Sequence, residues 1–460
     1  MKFIKIIVVS FYLFNVPIWG SDKGKQEERL ITEIDKSLRH DLLDAWYPVS
    51  LDTVHGGFLS DFTYNWKPRG SQNKMLVSQT RHIWTASEAA IFYKDDRYRG
   101  IAEHGFSFLK DKMWDKEYGG FYTILDRKGD NTDSDFGNYK IAYGNAFAIY
   151  ALATYYKMSA DTSALNLARN TFLWLVKHSY DPEFKGYFNI LNRDGSLPSN
   201  TKNDESRPRI LYLDRTGWKD QNTSIHLLEA FTELYKVWPD SLLHEHLCEM
   251  LELVRDTIMN KRGFLDLFFE RDWTVVSFRD SSETARKANY YYDHISFGHN
   301  LETAYLILEA SSVLEIEADI KTLSYARTMV DHALENGWDD SRGGFYEAGY
   351  YFNDTDDISI IDNAKIWWVQ AEGLNALLLI AKFFPEENKY YKAFRKQWEY
   401  IIKYLVDHKN GGWYEEGLDN SPDKLKARKA YDWKINYHNV RALMNCIKML
   451  KSEKELLYKL

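Results

Sequence analysis

Three of the 13 histidines in this 460-residue chain fall at expected helix starts, and two of them have a glutamate three residues further on. Asn222-Thr223-Ser224-Ile225-His226-Leu227-Leu228-Glu229 opens one helix, and Ser296-Phe297-Gly298-His299-Asn300-Leu301-Glu302 opens another. Trp433-Lys434-Ile435-Asn436-Tyr437-His438-Asn439 opens the last. A spacing of three sets imidazole and carboxylate on one helix face, where the acid can fix the ring's tautomer. An imidazole with a pKa of ~6.5 both takes and returns a proton near neutrality, so proton transfer is the chemistry these residues fit. Each histidine alone also fits a helix cap or a satisfied core position. Three placed alike favour a common site.

Two further stretches carry candidate groups. Ser78-Gln79-Thr80-Arg81-His82-Ile83-Trp84 puts a cation and an indole on one helix face, and Arg81 is placed either to bind a carbonyl or enediolate oxygen or to bridge two helices. Trp367-Trp368-Val369-Gln370-Ala371-Glu372 sets two indoles ahead of an acid. Neighbours on a helix point different ways, so at most one of the two indoles lines a cleft and the other is core. There is no HExxH, no cysteine pair and no histidine pair at helical spacing with a third ligand nearby, so no metal site is expected.

The elements that must hold these residues show as a repeat. Gly56-Gly57-Phe58, Gly119-Gly120-Phe121, Gly186-Tyr187-Phe188, Gly263-Phe264, Gly343-Gly344-Phe345 and Gly411-Gly412-Trp413 recur roughly every 70 residues, and Asp52, Asp115, Asp181, Asp339 and Asp407 precede five of them. That period suits two helices and a turn. Helical periodicity is expected over 26–46, 78–95, 97–114, 141–158, 162–178, 221–237, 240–259, 298–314, 317–335, 361–383, 386–407 and 436–452. Alternate members are apolar on nearly every face, as an inner layer requires. The implied architecture is all-α, an (α/α)6 barrel with short hairpin-like connections and a cleft at one end.

Composition narrows the partners. Aromatic residues make up 16% of the chain, which suits stacking on sugar rings or a large core. A net charge of −8 without a basic stripe excludes a nucleic-acid footprint. Cys248 and Cys446 both fall in helical patterns, form no disulfide framework and are expected as buried apolar residues. Lys2 and Lys5 precede an apolar run from Ile6 to Trp19 that ends near Gly20 and Ser21, the layout of a signal peptide over residues 1–20. The expectation is an exported protein, periplasmic in a Gram-negative host, with residues 21–460 as one catalytic domain and no membrane span after leader removal.

With Arg81-x-x-Trp84, Asn222-x-x-x-His226, Ser296-Phe297-Gly298-His299-x-x-Glu302, Trp367-Trp368-x-Gln370-Ala371-Glu372 and Trp433-x-x-x-Tyr437-His438-Asn439 side by side, the chain resembles the N-acylglucosamine 2-epimerase superfamily. Within it the likeness is to the cellobiose and mannobiose 2-epimerases. The resemblance implies cofactor- and metal-free inversion at C2 of a reducing-end sugar. It makes His299 and His438 the acid/base pair, His226 and Arg81 the groups at O1 and O2, and Glu302 the residue that orients His299. Tyr143 and Asn222 match positions that contact the reacting sugar, and Trp433 matches an indole that stacks on a ring of the disaccharide. Trp367 and Trp368 are carried over as substrate-binding, and Asp214 is added to the site. The chain departs from the family pattern in its leader and in a longer segment from Lys202 to Trp218. An aldose–ketose isomerase on the same scaffold is the nearest rival. A hydrolase using Asp214 and Glu302 and a non-catalytic glycan-binding protein would both leave the histidines without a task.

Overall fold

A computed structural model describes residues 19–132, 135–198, 216–316, 319–352 and 357–451. Six helices form an inner ring: Leu76–Tyr93, Ala142–Ser159, Gln221–Val237, Phe297–Val313, Trp367–Phe383 and Tyr437–Lys451. Each packs on the next, and the last packs on the first. Their sequences explain the placement. Nearly every residue from Ala142 to Tyr155 is apolar or small and all are buried, which only a helix covered on all sides tolerates. Outer helices Asp96–Phe108, Thr162–His178, Ser241–Glu252, Ile320–Asn336 and Asn388–Tyr400 each cover the inner helix before them. The sixth outer position is filled from the other end of the chain, by Trp19–Ser37 lying on Tyr437–Lys451. This is the (α/α)6 barrel read from the periodicity.

Each outer helix runs into the glycine–aromatic turn through an antiparallel bridge: Leu51 with Phe58, Trp114 with Phe121, Tyr180 with Tyr187, Met259 with Leu265, Trp338 with Phe345 and Val406 with Trp413. Gly120 shows why the glycines stand there. Its φ is +69°, and a Cβ would lie 2.9 Å from the Trp174 ring. Amides on the inner helices hold the turns from inside, as when Phe121 N–H donates to Asn145 Oδ1 at 2.9 Å and Phe345 N–H to Gln370 Oε1 at 2.8 Å.

The aspartates of the repeat are structural. Asp52, Asp115, Asp181, Asp339 and Asp407 each pair with one buried lysine, Lys74, Lys140, Lys219, Lys365 and Lys429, at 2.9, 2.9, 3.1, 2.7 and 2.7 Å. In the fourth repeat Asn260 takes the aspartate's place and donates to Asp266 at 3.0 Å. After the turn, the chain meets the start of the preceding inner helix. Leu76, Ala142, Gln221 and Trp367 donate their backbone N–H groups to the carbonyls of Thr123, Asn189, Leu267 and Glu415. All these helix starts therefore gather at one end of the barrel.

Three expectations change. The helix expected from 361 begins at Trp367, because Ser359–Asp362 pairs as a strand with Ala348–Tyr350. A thirteenth helix, Glu283–Asp293, has no counterpart in the expected set; only its last residue is buried, so it carries no apolar stripe to detect. Cys446 is buried as expected, while Cys248 is half-buried beside His244. Among the described residues, no helix is long and apolar enough to cross a membrane. Residues 1–18 of the expected leader, Asp214 and most of the Lys202–Trp218 segment lie outside the described residues.

Candidate active site

The helix starts bring His226, His299, His438, Arg81, Tyr143 and Trp368 together at the barrel mouth, over a layer of buried charge. His226 stands in the first turns of Gln221–Val237, which Asp220 caps by accepting from Thr223 N–H at 2.7 Å. Its Nδ1 donates to Glu229 Oε2 at 2.8 Å, as the spacing of three predicts. Arg441 and the Tyr437 hydroxyl donate to the other oxygen of Glu229. Burial would raise the Glu229 carboxyl, but Arg441 and His226 outweigh it and hold the pKa at about 2.

Arg441 joins three carboxylates. Its second terminal nitrogen donates to Glu302 Oε1 at 2.6 Å and to Glu372 Oε1 at 2.8 Å. His438 Nδ1 donates to the same Glu372 oxygen at 2.7 Å and lies 3.7 Å from Glu302. This corrects the role expected for Glu302. It faces Arg441 and His438, and among the described residues His299 Nδ1 has no hydrogen-bond partner. The guanidinium from the last helix draws the carboxylate away from its own helix neighbour. The acid that orients His438 is Glu372, reached from a different helix.

Burial lowers the pKa of both imidazoles. His299 is taken to about 3, with His226, His294 and His438 adding like-charge cost. His438 also falls well below the ordinary value, although Glu302 pulls the other way. The His299 ring is therefore neutral near pH 7, while His438 has two carboxylates at hand to support a second proton.

The indole pair divides. Trp368 lies between the two rings, its centroid 4.9 Å from His299 and 5.8 Å from His438. Gly298 makes room for it, since a Cβ there would come within 2.5 Å of the Trp368 ring. Trp367 is buried against Tyr431 and the Lys434 ammonium, so of the two indoles expected at the substrate only Trp368 stands beside the histidines. Arg81 donates to the Trp433 carbonyl and to the Tyr143 hydroxyl, both at 3.0 Å, with its guanidinium over Phe147 at 4.5 Å. A cavity of about 290 Å³ has Tyr143, Asn222, His299, Trp433, Asp220 and Phe268 among the residues that line it. Asn222 Oδ1 is buried without a partner among the described residues, and Trp433 is 41% exposed.

Glu302, Glu372 and His438 do bring ligand-type atoms within 4.8 Å of one another, a grouping from three helices that no spacing in the sequence signals. The cation these acids hold is Arg441. Sequence reasoning also missed Tyr437 and Arg441 as partners of Glu229; a tyrosine and an arginine four apart on the helix of His438 were the available signal.

The N-acylglucosamine 2-epimerase family model matches residues 56–442. The chain belongs to that family. A cellobiose 2-epimerase from Bacteroides fragilis is 28% identical over 92% of this chain and 99% of the relative. One from Ruminococcus albus is 30% identical over 91% of this chain and 98% of the relative. The solved structure of a cellobiose 2-epimerase from Bacillus thermoamylovorans superposes with a TM-score of 0.79 at 25% identity, covering 92% of this chain and 99% of that one. The family member described here is thus an enzyme of the carbohydrate epimerase and isomerase class.

Proposed function

We propose that this enzyme interconverts glucose and mannose at the reducing end of a β-1,4-linked disaccharide, cellobiose or mannobiose, by moving the proton on C2 without cofactor or metal. The observation that carries the reading is the pair of imidazoles, His299 and His438, on two inner helices and against one shared indole. Once the ring opens, the C2 hydrogen lies beside an aldehyde and becomes acidic, because its loss gives an enediolate. His299, with no acid bonded to it, suits the role of base in the resting enzyme. His438, bonded to Glu372 and near Glu302, suits that of proton holder. His299 takes the proton from one face and becomes imidazolium, and the intermediate turns about C2–C3. His438, which enters the turnover carrying a second proton supported by Glu372 and Glu302, returns that proton to the other face and is left neutral; exchange with solvent resets both rings. The reverse reaction exchanges the two roles. Arg81 and His226 are placed to bind O1 and O2 as negative charge develops there.

Incubation of cellobiose and of mannobiose with the enzyme in D2O, followed by NMR, tests this. The expected product is the C2 epimer with deuterium at C2 and the glycosidic bond intact. A ketose as the main early product would move the enzyme to the isomerase reading, and free hexose would move it to the hydrolase reading. We also propose, from Lys2, Lys5 and the apolar run after them, that the enzyme is exported. Sequencing the N-terminus of protein purified from its source checks that separately.

A further inference from the structure

A fourth imidazole, His294, stands five residues before His299, and the proton chemistry does not use it. It follows the helix Glu283–Asp293 and precedes the strand Ile295–Ser296 that leads into the inner helix of His299. Asp293 pins this point of the chain to the barrel. Its buried carboxylate accepts from the Phe278 N–H at 2.7 Å, and from the Ser277 and Tyr350 hydroxyls at 3.0 Å each, while Arg279 donates to its carbonyl at 2.8 Å. His294 is thereby fixed to the frame.

The ring's own bonding fixes its tautomer. Nδ1 lies 3.1 Å from the Tyr291 carbonyl oxygen, and a carbonyl only accepts, so Nδ1 carries the hydrogen. In the neutral ring Nε2 is then a lone-pair acceptor, and none of the described residues hydrogen-bonds it. Burial lowers the pKa and favours that neutral form. His294 and Tyr291 line the same cavity as His299, Asn222 and Trp433.

The spacing repeats at the other proton-transfer residue. Trp433 precedes His438 by five, as His294 precedes His299. In both places the five residues lead the chain into the first turn of an inner helix, and both leading residues line the cavity that reaches His299. Trp433 presents an indole face from the wall of Tyr437–Lys451. His294 presents a hydrogen-bond acceptor from the wall of Phe297–Val313. A two-ring sugar whose first ring sits among the three histidines has its second ring beside these two residues.

We propose that His294 is a specificity-determining residue, its Nε2 accepting a hydrogen bond from a hydroxyl of the second, non-reacting ring of the disaccharide. The inference rests on the disaccharide epimerase reading. The test compares wild type, His294→Phe and His294→Gln, the glutamine placing an amide oxygen near the position of Nε2. For cellobiose, His294→Phe is expected to raise KM about fivefold with kcat unchanged, the effect of one lost hydrogen bond. His294→Gln should restore most of the loss, and turnover of free glucose or mannose should not change. Unaltered cellobiose kinetics in His294→Phe would overturn the inference. So would equal losses on mono- and disaccharide that glutamine fails to rescue. If the phenylalanine variant shows no cooperative thermal transition, His294→Ala is read in its place. If the wild type epimerises neither sugar, the epimerase reading fails by itself. Calorimetric titration of cellobiose into wild type and variants then decides the role of His294, with weaker binding in the phenylalanine variant supporting it and equal binding overturning it.

Discussion

The aspartate–lysine clasps under the hairpins and the glutamate–arginine cluster under the cleft are both ion pairs shut away from water, yet they differ in stoichiometry. Each clasp sets a repeat aspartate against one ammonium, with an arginine added from the next hairpin at Asp52, Asp115 and Asp181 and a second carboxylate, Asp419, on Lys365, and it recurs with the repeat. The cluster occurs once and sets three carboxylates, Glu229, Glu302 and Glu372, on the single guanidinium of Arg441. Charge repeated in this way serves the ring as a ring. The surplus of acid in the cluster lies next to His226 and His438.

Substitutions can break that comparison from either side. The largest effect is expected from His299→Ala and His438→Ala, each losing roughly 10²–10⁴-fold in kcat with an unchanged melting temperature. Steady-state kinetics on purified, folded protein checks this, and near-normal turnover in either variant would remove it from the acid/base pair. Asp115→Ala should do the opposite. It leaves Lys140 buried without its carboxylate, so denaturant unfolding should show a loss of about 3 kcal/mol while kcat of the folded fraction stays put.

Acid separates the two regions by pH window. His299 is held to about 3 when folded and titrates near ~6.5 when unfolded, so the unfolded chain takes its proton first as the pH falls. Its contribution is therefore present above ~6.5 and is lost on the way down to 3, at no more than about 1.4 kcal/mol per pH unit for one proton. Asp115 behaves otherwise. Burial would raise it, but Arg193 and Lys140 outweigh that and hold it at about 2, so its contribution is lost only below the ordinary carboxylate value of ~3.9. Unfolding curves between pH 6 and 4.5 should flatten in His299→Gln and keep their slope in Asp115→Ala. The smallest effect expected is none. Dialysis against a chelator should leave activity intact because Arg441 already fills the space among the three acids, and recovery only on adding a divalent ion would show the cluster to be a metal centre.

What the sequence disclosed follows from what a single helix can encode. The paired helices, the six turns and the His226–Glu229 bond rest on spacings within one segment, and each was legible. The Glu372–His438 bond joins residues 66 apart on two helices, and Arg441 reaches Glu229 across 212. No periodicity reports such partners. The role first expected of Glu302 failed for the same reason, since the local rule was sound and a residue from another helix outcompeted it. The helix Glu283–Asp293 was hidden differently: its Ser282 cap and its helix formers were there to read, but with one face on solvent and the other barely covered it lacked an apolar period.

The closing of the ring has a consequence for synthesis. The last inner helix, Tyr437–Lys451, supplies Tyr437, His438 and Arg441, and it docks between the first inner helix and the outer helix Trp19–Ser37. Five-sixths of the barrel can be made before any of those side chains exists. Until the final helix arrives, Glu229, Glu302 and Glu372 lack their shared cation, and Trp19–Ser37 has no surface to cover. Contacts of such long sequence separation form late. A nascent or truncated chain without the last helix thus lacks the cation under the cleft, and the step that seals the barrel is the same one that completes the charge cluster.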